Sequence, residues 1–244
     1  MFLSVVIPAY NEERHILSTS MQVTNFLTRR AYSYEIIVVD DGSRDDTYYM
    51  AKSFAETNSN VLVLKNPRNE GKGAAVKNGV MAAQGEYILF MDADYSTPIE
   101  EVENMLNLLT SENNYDFVIA SRMMEGSRII KKEPPLRIVL GKFYHYIVAS
   151  LFLGGITDYN CGFKLYRKKI AKELFNLIVS KNYTFDVELL YLARKLGYRH
   201  KEMPVTWRHN SVSKVRPFID GLKSLLSLIR IRACYRQGHY NTHK

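Results

Sequence analysis

Three apolar runs, each ending in carboxylates, constrain this chain more than any other feature. They are Leu3-Ser-Val-Val-Ile-Pro-Ala-Tyr-Asn-Glu12, Glu35-Ile-Ile-Val-Val-Asp-Asp-Gly-Ser43 and Tyr87-Ile-Leu-Phe-Met-Asp-Ala-Asp94. Short, continuous, mostly β-branched runs read as buried strands. The first delivers an aromatic ring, an amide and a carboxylate to one loop, a set able to stack on a flat base and accept its N–H groups. Polar groups gathered at the carboxyl ends of successive strands are where open α/β sheets bind ligands.

Helical patterns separate these runs. Glu13 to Arg29 has Ile16, Met21 and Leu27 as apolar positions. Asp45-Asp46-Thr47 starts a second helix to about Thr57, with acids at its positive end. Val61 to Lys65 reads as a strand, and Asn69-Glu-Gly-Lys-Gly-Ala-Ala75 as a Gly-rich turn opening a helix to about Gln84. Thr97-Pro98 supplies an N-cap and first-turn pair, and Phe117 to Ser121 a further strand. This order predicts an α/β fold with a mainly parallel central sheet flanked by helices.

The character changes after Arg122. Residues 123–135 are basic and irregular, and from Leu136 the positions Leu136, Leu140, Phe143, Ile147 and Leu151 suit one helical face. Phe185 to Leu196 reads as a helix and Glu202 to Trp207 as a strand. The segment Phe218 to Ala233 sets Phe218, Leu222, Leu225 and Ile229 against Lys223 and Arg230. With 244 residues, 46% of them apolar, the expectation is a single domain in two halves, 1–122 and 123–244. Cys161 and Cys234 give no disulfide framework and read as free thiols. The opening on a strand gives the expectation of no signal peptide, and the longest uncharged run, Phe143 to Thr157, falls short of the roughly 20 residues a spanning helix needs. No transmembrane helix and a cytoplasmic location are expected.

Asp92-Ala-Asp94 places two carboxylates where the chain leaves the pleat, so both side chains reach one cation. Hard divalent ions take oxygen ligands. The net charge of +8 permits nucleic acid, anionic lipid or phosphorylated partners without choosing among them. The basic residues flank an acidic pair that repels a phosphate backbone, which ranks nucleic acid low.

Taken together, Val6-Ile-Pro-Ala-Tyr-Asn-Glu12, Val38-Val-Asp-Asp-Gly-Ser43, Asn69-Glu-Gly-Lys-Gly73 and Asp92-Ala-Asp94 resemble the inverting family-2 glycosyltransferases with a GT-A fold. The resemblance implies base and ribose contacts near Pro8, Tyr10, Glu12 and Asp40. It places Lys72 near the nucleotide, and Asp92 and Asp94 at a Mg²⁺ or Mn²⁺ ion. Asp158-x-x-Cys-Gly-Phe-Lys164, Phe185-Asp-Val-Glu-Leu-Leu-Tyr191 and Pro204-Val-x-Trp-Arg-His-x-x-x-Ser-Lys214 extend it to the polyprenyl-phosphate sugar synthases, more to the glucosyl than the mannosyl branch. Where the mannosyl branch often adds a Gln to the metal, this chain has Ser96, a weak ligand. By resemblance Arg208 and Lys214 sit over the donor diphosphate. The string Gln-x-x-Arg-Trp of processive synthases is absent, which favours transfer of a single sugar.

The acceptor so implied, a polyprenyl phosphate, is already an anion and needs cations more than a base. Arg122, Arg128 and Arg137 are the candidates, because guanidinium matches phosphate bidentately. Asp186, counted with Asp92, Asp94 and Arg122 as catalytic, sits with Glu188 at a helix start. There the two either face the donor sugar or complement the helix terminus. The donor expected is UDP-glucose, with GDP-mannose second. Alternatives are a soluble family-2 enzyme with a glycan or protein acceptor, and a non-catalytic sugar-nucleotide-binding subunit. The two amphipathic basic segments suit a peripheral position on the cytoplasmic membrane face.

Overall fold

The computed structural model describes residues 1–131, 148, 152–208 and 217–240, the side chains of residues 131 and 217–225 excepted. A seven-stranded sheet runs in the order β3-β2-β1-β4-β7-β5-β8. Its strands are β1 (Leu3–Ala9), β2 (Tyr34–Asp40), β3 (Val61–Lys65), β4 (Tyr87–Met91), β5 (Phe117–Ser121), β7 (Phe163–Arg167) and β8 (His200–Pro204). All neighbours pair in parallel except β7, which lies antiparallel between β4 and β5. Strands from both halves of the chain therefore share one sheet.

Alternation along each strand feeds two cores. Leu3, Val5 and Ile7 of β1 point to one face with Ile36, Val38, Leu89 and Met91. Val6, Ile37, Val39, Ile88 and Phe90 point to the other. Helices α1 (Ile16–Leu27) and α4 (Glu101–Thr110) cover the first face, with Ala51 of α2 (Thr47–Glu56) packed there too. On the second face lie α3 (Lys72–Ala82), α5 (Lys168–Leu177), α6 (Phe185–Lys195) and the inner side of α7 (Pro217–Arg236). Burial on both faces is why the strands read as unbroken apolar runs.

The differences from the sequence reading have local causes. Helix α4 starts at Glu101 because the chain after Thr97-Pro98 makes one more turn, with Glu101 N–H donating to the Pro98 carbonyl at 3.2 Å. The expected strand from Glu202 to Trp207 divides at Val205: β8 stays in the main sheet, while β9 (Thr206–Arg208) pairs in parallel with β6 (Arg128–Lys131). Strand β7 and helix α5 differ from the sequence expectation, because Lys164 breaks the apolar pattern of a strand buried from Phe163 to Tyr166. The helical reading over residues 136–151 lies outside the described residues. Among the described residues no helix is long and apolar enough to cross a membrane.

In α7, Leu228 and Ile231 join the core, whereas Leu226 and Ile229 are 60% and 67% exposed. Arg230 and Arg236 are exposed as well. Ile229 therefore belongs to an outward stripe and not to the packing face. Phe218, Leu222, Lys223 and Leu225 lie outside the described side chains.

Candidate active site

The carboxyl ends of β1, β2 and β4 open on one edge of the sheet, and the loops there are tied together. Asn11 turns the chain after β1 in the left-handed region, at φ 52°. Its N–H donates to Ser43 Oγ (2.9 Å), and its Oδ1 accepts from the Arg44 N–H (2.8 Å). Glu12 N–H donates to Thr47 Oγ1 at 2.7 Å, and its carboxylate meets His15 Nδ1 at 2.9 Å. Pro8 is buried at the strand end, and Tyr10 is half-buried beside it.

Two adjacent carboxylates end β2, and they do different things. Asp41 accepts from Asn66 Nδ2 (2.7 Å), Glu70 N–H (3.0 Å) and Gly71 N–H (2.8 Å), so it organises the Gly-rich turn. Asp40, fully buried, meets the Ser43 N–H only at 3.3 and 3.4 Å. The sequence reading saw both acids without separating these roles.

The Gly-rich turn sets Lys72 at the start of α3. Gly71 has φ 104°, and a Cβ there would run into the Lys181 carbonyl. At Gly73 a Cβ would meet Phe185 and the Ser180 carbonyl at 2.7 Å. The loop of residues 179–184 lies across the turn, and Glu188 holds that loop by accepting from the N–H groups of Val179 (3.0 Å) and Ser180 (2.7 Å). Glu188 also accepts from the Tyr240 hydroxyl at 2.5 Å.

Lys72 Nζ reaches Asp92 Oδ1 at 2.6 Å. Burial opposes the ammonium, but the negative charges of Asp92 and Asp186 outweigh it and raise the Lys72 pKa. Asp94 accepts from Ser96 Oγ (2.6 Å) and Ser96 N–H (3.0 Å), so Ser96 orients the second acid. Burial and then the charge of Asp92 push the Asp94 carboxyl above its ordinary value, against the Ser96 bonds. Two carboxylates sharing a half-buried loop, one raised by the other, are a donor set that fits a hard divalent cation. Among the described residues no group of three or more acids, histidines and cysteines converges.

Behind this pair lies a buried ion pair. Lys164, with no exposed surface, donates to Asp186 Oδ1 (2.5 Å) and to the Cys161 carbonyl (2.8 Å), with its ammonium 5.1 Å from the Phe90 ring centre. Burial raises the Asp186 carboxyl, and Lys164 and Lys72 counter that. Gly162 packs against the Asp92 carboxylate so closely that a Cβ would overlap its Oδ2. Lys164 and Gly162 lie in the Asp158-x-x-Cys-Gly-Phe-Lys164 string, and their site contacts are not visible in sequence because their partners, Asp186 and Asp92, are distant in the chain.

At the end of β5, Arg122 forks onto the buried Asp158, with Nε to Oδ2 at 2.7 Å and a terminal nitrogen to Oδ1 at 2.8 Å. Its guanidinium lies 5.1 Å from the Trp207 ring centre. Burial alone would raise the Asp158 carboxyl, yet hydrogen bonds and charge from Arg122 hold it below the ordinary range. Arg208 is exposed, but its N–H donates to the Ser96 carbonyl at 2.9 Å, which fixes its backbone beside the Asp94 loop. Arg128 is exposed and begins β6. Arg137 and Lys214 lie outside the described residues.

Comparison with known proteins agrees with this geometry. A model of glycosyl transferase family 2 matches residues 4–175. The chain is 36% identical to a dolichyl-phosphate beta-glucosyltransferase of Dictyostelium discoideum, an alignment covering 98% of this chain and 76% of that protein. A human protein of the same name is 34% identical, over 97% of this chain and 76% of its own. Among solved structures, glucosyl-3-phosphoglycerate synthase of Mycobacterium tuberculosis, crystallised with Mn²⁺, UDP and phosphoglyceric acid, superposes with a TM-score of 0.70 at 21% identity, covering 94% of this chain and 78% of that one. Mannosyl-3-phosphoglycerate synthase of Rubrobacter xylanophilus gives 0.72 at 17% identity, covering 100% and 77%. A mainly parallel sheet with an acid pair at the end of β4, matched by the family model over most of its length, makes this chain a member of glycosyl transferase family 2 with a GT-A-type fold.

Proposed function

We propose that this chain transfers one glucose, with inversion, from UDP-glucose to a polyprenyl phosphate such as dolichyl phosphate. The observation that carries the reading is the meeting of Lys72, Asp92, Asp94 and Asp186 at one sheet edge, in a chain similar over nearly its whole length to dolichyl-phosphate beta-glucosyltransferases. Asp92 and Asp94 hold a Mg²⁺ or Mn²⁺ ion. When bound, the ion neutralises charge on the departing diphosphate. Lys72 and Arg208 would meet the same diphosphate, Lys214 would join them by family resemblance, and Pro8, Tyr10, Glu12 and Asp40 would receive the uridine. Asp186, paired with Lys164, adds negative charge near Lys72. The acceptor phosphate oxygen forms the new bond to the anomeric carbon from the face opposite the leaving UDP. That oxygen is already anionic, so cations position it: Arg128 and Arg137 by direct contact, and Arg122, whose fork is taken by Asp158, through its charge.

A panel of nucleotide sugars offered with a short polyprenyl phosphate and with soluble acceptors tests this. Glucosylated lipid from UDP-glucose is expected. Transfer from GDP-mannose alone would overturn the donor, and transfer only to soluble acceptors would overturn the lipid.

Asp40 is buried and weakly bonded within the protein, which suits an acceptor for a base N–H. Asp40→Asn is expected to raise the donor KM by about ten- to a hundredfold, the worth of a hydrogen bond to a charged group, with a smaller effect on kcat. Unchanged UDP affinity in a binding titration would remove Asp40 from the base site.

The outward stripe of α7 suits a membrane surface at the cytoplasmic face, with Leu226 and Ile229 in the interface and Arg230 and Arg236 at the headgroups. Replacing Leu226 and Ile229 together by Ser should weaken binding to anionic vesicles while leaving thermal stability close to wild type, because neither side chain is packed in the core. Undiminished vesicle binding would assign the stripe another role.

A further inference from the structure

We propose that Lys72 is the resident counter-cation of Asp92 in the free enzyme, and that the donor diphosphate admits the divalent cation by drawing Lys72 away. The proposal rests on the donor-site reading above and adds an order of events to it.

The geometry of Asp92 points there. Its Oδ1 is held by the Lys72 ammonium at 2.6 Å. Its Oδ2 lies against Gly162, too close to leave room for even one added carbon. The Asp92 N–H donates to the Gly162 carbonyl at 3.1 Å, so the backbone beneath the carboxylate is fixed. A divalent ion approaching Asp92 therefore meets an ammonium already seated on the carboxylate. Two cations within a few ångströms of one oxygen repel, and the first must leave or the second binds weakly.

Lys72 is built to move without the fold moving. Its backbone is pinned on both sides: the Gly71 N–H is held by Asp41 at 2.8 Å and the Gly73 N–H by the Lys181 carbonyl at 2.8 Å. Only the flexible four-carbon stem remains to swing. Asp186 also attracts the ammonium, which keeps Lys72 within the site after release. A diphosphate seated beside Lys72 brings several anionic oxygens within reach of its ammonium. Those oxygens compete with Asp92 for the ammonium. Once it transfers, Asp92 regains an uncompensated charge beside Asp94, and the pair becomes attractive to a divalent cation. Nucleotide and metal then strengthen each other's binding by the same factor, as linkage requires.

The test measures Mn²⁺ binding to the full chain from the spin-resonance signal of free Mn²⁺, with and without UDP, in wild type, Lys72→Met and Lys72→Arg. In wild type, UDP should tighten Mn²⁺ by about tenfold or more, and Mn²⁺ should tighten UDP equally. Without UDP, Lys72→Met should bind Mn²⁺ about tenfold more tightly than wild type. Lys72→Arg, which retains a cation, should stay weak. Melting curves establish that each variant is folded. A folded Lys72→Met that binds Mn²⁺ alone no better than wild type overturns the proposal. So does a wild type that binds UDP and Mn²⁺ independently, an outcome that needs no variant and leaves the donor site standing. A wild type that binds neither overturns the proposal together with the donor-site reading.

Discussion

Asp94→Ala should abolish sugar transfer, lowering kcat by more than about a hundredfold, the scale seen when charge stabilisation at a reacting group is removed. The same change should leave thermal stability close to wild type. Asp94 lies in the loop after β4 and contributes no apolar packing. Its carboxyl is pushed up by burial and by Asp92. A carboxyl whose folded pKa is raised holds its proton more tightly in the folded than in the unfolded chain. Its ionisation therefore removes stability as the pH rises through the window above the ordinary carboxylate value. Alanine ends that penalty and gives up the Ser96 bonds, two small effects of opposite sign. Loss of activity without loss of fold would separate a chemical role from a structural one. Near wild-type turnover in Asp94→Ala would remove the metal assignment.

Lys164→Met should produce the largest loss of stability, about 3–5 kcal/mol, because it strands Asp186 in the core without its partner. For a chain of this size that is a fall of roughly 10 °C in melting temperature. The side chain is completely buried, and its ammonium is satisfied by Asp186 and the Cys161 carbonyl. Such a pair need not add net stability, since desolvation opposes the attraction. The double variant Lys164→Met/Asp186→Asn should therefore recover most of the loss while staying inactive. A single variant as stable as wild type would show that Asp186 is held by something else. A double variant no better than the single would show that the damage lies in packing around Phe90 and not in charge.

The half of the fold nearest the amino terminus was legible because β1, β2, β4 and β5 are buried along their length and its loops carry the polar residues. β1, β2, β3, β4 and β5 each read as a short apolar run, and the acids after β1, β2 and β4 were visible as breaks in that pattern. The GT-A-type fold and the family followed from these strings, the glucosyl branch from Cys161-Gly-Phe-Lys164 and Phe185-Asp-Val-Glu188, and the comparisons agree. Strand β7 was hidden by its own chemistry. A lysine in the middle of a core strand looks like a surface residue unless its partner, 22 residues further on, is known. The division of labour between Asp40 and Asp41 was hidden for a related reason, since the bonds from Asn66, Glu70 and Gly71 that occupy Asp41 are long-range. Arg122 was legible as a cation but not as a partner of Asp158, because the fork that joins them spans 36 positions. In α7 the periodicity found an apolar stripe, yet a helix with two apolar sides does not declare which one is packed.

The most direct test of the account is the nuclear magnetic resonance spectrum of the lipid product formed from UDP-glucose, Mn²⁺ and a short polyprenyl phosphate. The account predicts a β-linked glucosyl phosphate, the inverted anomer of the donor, and no product once the metal is removed with a chelator. An α-linked product, or undiminished formation of lipid-linked glucose in the chelator, would contradict it.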